Sequence, residues 1–111
     1  MQIEKRMHAG VTVIGLSGTF DITEAARFEA TFKELVKDKP KNVALDLNDV
    51  DYIDSSGIGA LIKALNAVKA YGSGLILFGL KPAVMAVFKV AKLSNFFKIL
   101  TPEEFRRKYP E

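Results

Sequence analysis

Short apolar runs alternate with longer amphipathic stretches in this chain, and that alternation constrains its fold more than any other feature. Val43-Ala44-Leu45-Asp46-Leu47 and Leu75-Ile76-Leu77-Phe78 are too short for stable helices and rich in apolar residues, so each predicts a strand. Between them Ile58, Leu61, Ile62, Leu65 and Val68 recur at helical spacing, which predicts a helix over 55–71 with Gly72 and Gly74 ending it. Parallel strands need a crossover connection, and a helix of this length supplies one. Strand–helix repetition therefore predicts a mainly parallel sheet.

The start of the chain has a different pattern. Met1, Ile3 and Lys5 share one face of an opening strand, and His8-Ala9-Gly10 reads as a turn with His8 facing solvent. Residues 11–16 are β-branched-rich and predict a second strand, ended by Gly18. No helix fits between the two, so they are expected to form an antiparallel hairpin. Phe28, Phe32, Leu35 and Val36 mark the buried face of a helix over 24–37, with Asp21 or Thr23 as its N-cap. Asp49, Asp51 and Asp54 lie on what reads as a mostly polar connection after the 43–47 strand. The unbroken apolar run at 75–78 predicts a strand buried on both faces. Pro82 opens a third helix whose Val84, Val87, Phe88 and Ala91 point inward. Residues 97–100 form a last short strand, and Thr101-Pro102-Glu103-Glu104 begins a final helix. The expected order is ββαβαβαβα: one α/β domain over 1–111, with an N-terminal antiparallel hairpin on a mainly parallel mixed sheet and about four helices.

Composition narrows the chemistry. The chain has no cysteine and one histidine, so disulfides and thiolate metal sites are excluded. A serine hydrolase needs a base for its serine; His8 has no evident orienting acid, and the Gly-x-Ser-x-Gly elbow is absent. Asp46, Asp49, Asp51 and Asp54 are dense, but their spacing does not match a calcium loop with its terminal Glu. A Walker-type phosphate loop is also lacking. No catalytic activity, cofactor or metal is therefore expected. Phosphorelay receivers are similar in size and in strand–helix alternation, and Asp54 could imitate their phosphorylated Asp. They carry an acidic pair after the first strand, whereas only Glu4 precedes Gly10 here, and the first two strands form a hairpin.

Net charge is +3, from 16 basic and 13 acidic residues. Lys37, Lys39 and Lys41, and Arg106, Arg107 and Lys108, cluster without an aromatic-interleaved stripe. They read as solvated surface, not as a nucleic-acid site. Residues 1–7 lack a signal-peptide core, and no apolar run nears the ~20 residues of a membrane span, so a cytoplasmic protein is expected.

One polar cluster sits where a strand gives way to a helix: Asp54-Ser55-Ser56-Gly57-Ile58-Gly59. Such junctions are where βα proteins present sites to ligands and partners. Free N–H groups and the macrodipole at the helix start favour an anion near Ser55. Gly57 and Gly59 permit close backbone approach, by a partner or by the adjacent strand. Asp21 follows a neighbouring strand and could lie beside this loop, as a contact or as a helix cap. Ile58 and Leu61 fit helical core, with Ile58 also a candidate contact; Phe96-Phe97 reads as core.

Leu45-Asp46-Leu47, Val50 and Ile53-Asp54-Ser55-Ser56-Gly57-Ile58-Gly59-Ala60-Leu61 resemble the signature of STAS domains, found in sulfate transporters and anti-sigma factor antagonists. Gly18-Thr19-Phe20-Asp21 is similar to that family's segment after its second strand, so the resemblance spans essentially the whole chain. It implies a STAS-like fold and, in the antagonist branch, a partner switch. The first hydroxyl residue after the Asp is the phosphosite there, which carries over to Ser55, with Ser56 as the alternative. The implied partners are an anti-sigma factor that is itself a serine kinase using ATP, and a metal-dependent serine phosphatase. Asp21, Asp54, Ser55, Ser56, Gly57 and Ile58 form the implied partner surface. The family also contains subunits of lipid-transport ATPase complexes and unphosphorylated scaffolds, and the resemblance leaves both open, along with the oligomeric state.

Overall fold

A computed structural model describes residues 1–111. Five strands and four helices alternate as β1 (Gln2–His8), β2 (Val11–Phe20), α1 (Ile22–Leu35), β3 (Asn42–Ile53), α2 (Ser55–Lys69), β4 (Gly74–Phe78), α3 (Pro82–Val90), β5 (Lys98–Leu100) and α4 (Pro102–Lys108). The strands lie in one sheet in the order β1-β2-β3-β4-β5. β1 and β2 are antiparallel, joined through Ala9 and Gly10 in left-handed backbone, and every other pairing is parallel. The expected α/β architecture and N-terminal hairpin are therefore present.

Two strands run further than their sequences suggest. β2 does not stop at Gly18 but continues to Phe20, and β3 continues through the acidic stretch to Ile53 instead of ending at Leu47. The cause is irregular pairing. Gly15 pairs with Asp46 but Ser17 with Asp49, and Gly18 pairs with Val50 but Thr19 with Tyr52, so β3 gains one residue at each shift. Each extra residue is a bulge that resets which side chains face inward. The buried positions of β3 become Leu47, Val50 and Ile53, a spacing of three that does not read as a strand. Gly18 accommodates the second bulge with φ of +101°, a conformation that costs glycine little.

Helices cover both faces of the sheet. Phe28 and Phe32 of α1, Ile58, Leu61, Leu65 and Val68 of α2, and Val84 and Phe88 of α3 join Ile14, Leu45, Leu47 and Leu77 in the larger core. On the other face Phe105 of α4 closes over Val11, Val13, Ala44, Ile76 and Phe78, and its ring stacks on Phe78 with centroids 4.0 Å apart. β4 is thus buried on both faces as expected. Three assignments change. Ala91 is exposed, not inward. Phe97 is core, but its neighbour Phe96 stands 48% exposed. His8 is not a solvent-facing turn residue: it ends β1, lies 5.4 Å from the Phe105 ring, and its Nε2 is 2.8 Å from the Tyr109 carbonyl.

Candidate partner-binding site

Phe20 and Ile53 are paired neighbours at the ends of β2 and β3, so the next residues, Asp21 and Asp54, stand side by side. Both are N-caps in extended backbone. Asp21 accepts from the Thr23 N–H at 3.0 Å, and Asp54 from the Ser56 N–H at 2.9 Å and the Gly57 N–H at 3.1 Å. Asp side chains suit this position because one carboxylate oxygen satisfies donors that the first helical turn leaves unpaired. The two helices therefore begin together at the C-terminal end of the central strands, with their positive dipole ends on the same side.

The Phe20 carbonyl binds the two segments together. It accepts a hydrogen bond from the Asp54 N–H at 3.3 Å. It also lies against Gly57, where a Cβ would sit 2.5 Å from it and 2.7 Å from Cγ1 of Ile53. Gly57 is thus required for close approach by the adjacent strand. Gly59 is not: a Cβ there would meet nothing within 4 Å.

Ser55 is the first residue of α2 and is exposed, while Ser56 is half-buried. Of the first three helical N–H groups, Asp54 already takes those of Ser56 and Gly57. The free donors expected around Ser55 are therefore largely taken. An anion on Ser55 would gain from the dipole but stand next to the Asp54 carboxylate.

Beside Ser55 runs an apolar groove of about 350 Å³, lined by Ile58, Ala86, Val87, Val90 and Ala91. Ile58 forms its floor and is only 6% exposed, whereas Val90 is 85% exposed at the rim. Ile22, directly after Asp21, and Tyr52, two residues before Asp54, are also large exposed apolar side chains. Sequence reasoning found the loop residues but missed the contribution of α3. The signal was present: α3 carries apolar residues on more of its circumference than one buried face needs.

Asp21, Asp54, Ser55, Ser56 and Gly57 thus cluster at the C-terminal end of β2 and β3, with Ile58 beneath them. The STAS domain profile matches residues 2–105, which includes this cluster. The chain belongs to the STAS domain family. Among its relatives, the anti-sigma F factor antagonist of Paenibacillus polymyxa is 25% identical over 101 residues, covering 90% of this chain and 84% of the relative. The structure of an anti-sigma factor antagonist from Mycobacterium paratuberculosis superposes with a TM-score of 0.85 at 22% identity, covering 99% and 94% of the two chains. The anti-sigma factor antagonist SpoIIAA in its unphosphorylated form gives 0.76 at 22% identity, covering 96% of each chain. At such identities the structural likenesses establish the fold alone. In this STAS domain no helix is long and apolar enough to cross a membrane.

Proposed function

We propose that this STAS domain is an anti-sigma factor antagonist that acts by binding and not by catalysis. In this reading it docks on an anti-sigma factor that is also a serine kinase, through Asp21, Ser55, the Ser56-Gly57 turn and the apolar rim of α3. The kinase moves the γ-phosphoryl group of ATP onto Ser55 Oγ, with loss of the hydroxyl proton and release of ADP. A serine phosphatase hydrolyses the ester and restores the hydroxyl. The setting is the cytoplasm, where sigma factors act.

The observation that carries the reading is the division of labour between Asp54 and Ser55. Asp54 caps α2 with two hydrogen bonds, which leaves Ser55 exposed and dispensable to the cap. Ser55 can therefore be modified without dismantling the helix start. A phosphoserine carries roughly −1.5 to −2 charges at pH 7. Next to Asp54 and at the mouth of an apolar groove, that charge opposes a partner surface fitted to a neutral hydroxyl. Curated and structural relatives named as anti-sigma factor antagonists support the same reading.

Intact mass and site mapping of the protein from its native cells, with and without phosphatase, test it. One removable phosphate on Ser55, absent in Ser55→Ala, is the expected result. An unmodified Ser55 under every growth condition would sink the switch and leave a constitutive binding or transporter-subunit role.

A further inference from the structure

A second concave surface lies at the opposite end of β3. Where β3 and β4 begin, a cleft of about 380 Å³ is lined by Lys41, Lys69, Lys98 and Lys108, with Phe96 and Tyr109 among its walls. The four lysines come from four places: the loop before β3, the last turn of α2, the start of β5 and the last turn of α4. Folding, not a local basic run, brings them together.

Their charges are unmet. The chain's ion pairs engage the Met1 amino group, Arg6, His8, Arg27, Lys37, Lys63, Lys81 and Arg106. None involves the cleft lysines, and no carboxylate lines the cleft. Aromatic rings help hold two of them: Lys69 Nζ lies 5.9 Å from the Phe96 centroid and Lys108 Nζ 5.7 Å from that of Tyr109. Close approach of the Lys98 ammonium pushes the Lys108 ammonium below its usual range. Ammonium groups held this close repel, and an anion of more than one charge placed among them turns that repulsion into attraction.

We propose that this cleft binds a small polyanion carrying two or more phosphate groups. A single carboxylate would leave most of the ammonium charge unanswered. Lysine is a suitable point-charge donor to phosphate oxygens. The volume falls in the range of small-molecule sites, about 300–1,000 Å³. A nucleic-acid strand would instead need cations continuing along a track, whereas these four converge on one cleft. The half-exposed Phe96 ring offers a face to a planar group, so the phosphates can come from free polyphosphate or from a nucleotide. The site lies away from Ser55 and does not depend on the function proposed for it.

Isothermal titration in 150 mM KCl with inorganic tripolyphosphate, ATP and a single-stranded DNA oligonucleotide tests the proposal. Two variants of equal charge are compared, Lys98→Gln/Lys108→Gln and the control Lys33→Gln/Lys89→Gln, with melting curves confirming that both are folded. Saturable binding of tripolyphosphate or ATP is expected, weakened roughly tenfold or more in the cleft variant and by less than about twofold in the control. Tighter binding of ATP than of tripolyphosphate assigns the phosphates to a nucleotide, and equal or weaker binding assigns them to free polyphosphate. Equal losses in the two variants, tighter binding of the oligonucleotide than of either small anion, or no saturation by roughly millimolar ligand would overturn the proposal.

Discussion

Asp21 and Asp54 occupy the same turn twice over. Their φ and ψ are −117° and −171° against −115° and −173°, and each stands one step beyond a paired strand residue. One end of the sheet thus launches two helices in parallel, each capped by a carboxylate. Asp54 accepts two backbone donors and Asp21 one, so the caps should differ in strength. Substituting a capping Asp by Ala costs about 1 kcal/mol. Asp54→Ala should exceed Asp21→Ala and lower Tm by about 4–8 °C per kcal/mol lost. Asp54→Asn, which keeps an accepting oxygen, should stay near wild type in the same melting experiment.

The two glycines of the motif should respond in opposite directions to alanine. Gly57→Ala forces a methyl against the Phe20 carbonyl and the Ile53 side chain. Overpacking of this kind costs about 1–3 kcal/mol, more than the ~1 kcal/mol that alanine gains in helix propensity. At Gly59 the methyl enters open space, and only the propensity gain of up to about 1 kcal/mol remains. Urea denaturation of both variants decides the matter; equal shifts would mean that Gly57 is not held against β2.

A negative charge at position 55 should be felt by Asp54. Ser55→Glu gains from the dipole of α2 but faces the capping carboxylate. It should therefore be less favourable in wild type than in an Asp54→Asn background, by about 0.5 kcal/mol at low ionic strength. A double-mutant cycle in urea measures that coupling. It should shrink in 1 M salt, where the Debye length falls to about 3 Å.

Asp46 gives a pH signature at a site remote from Ser55. Burial alone would raise its pKa, but hydrogen bonds from the Asn48 N–H, from Arg6 and from the Asn48 side chain prevail and hold it below the usual aspartate range. A depressed folded-state pKa adds stability above the unfolded value that is lost as pH falls through the folded one. Wild type should thus exceed Asp46→Asn by about 0.5–1 kcal/mol at pH 7, a modest figure because Arg6 is half-exposed. The gap should close progressively below pH 4 in acid titrations of stability. A gap that persists unchanged to pH 2 would mean that charge is not the cause.

Most of the architecture was legible because helices and buried strands carry periodicity in their own residues. Phe28 with Phe32, and Ile58 through Val68, announce their helices directly. The far half of β3 was not legible, since a bulge is a property of two strands and leaves no period in one of them. His8 misled for a related reason: its partners, Phe105 and Tyr109, lie about a hundred residues on, and nothing local to a turn predicts them. The loop motif named the hydroxyls and carboxylates of the site. The groove formed by α3 could not be seen until the chain crossed back beside α2.

The spatial order of the strands matches their order in the sequence. No strand must be inserted between two that have already paired. As the chain leaves the ribosome, β1 and β2 can close as a hairpin, and β3, β4 and β5 can each join a free edge when they emerge. Contacts across neighbouring strands also keep loop closures short for a parallel sheet, the condition that favours faster folding and briefer exposure of apolar edges. Assembly can therefore follow synthesis from one end to the other.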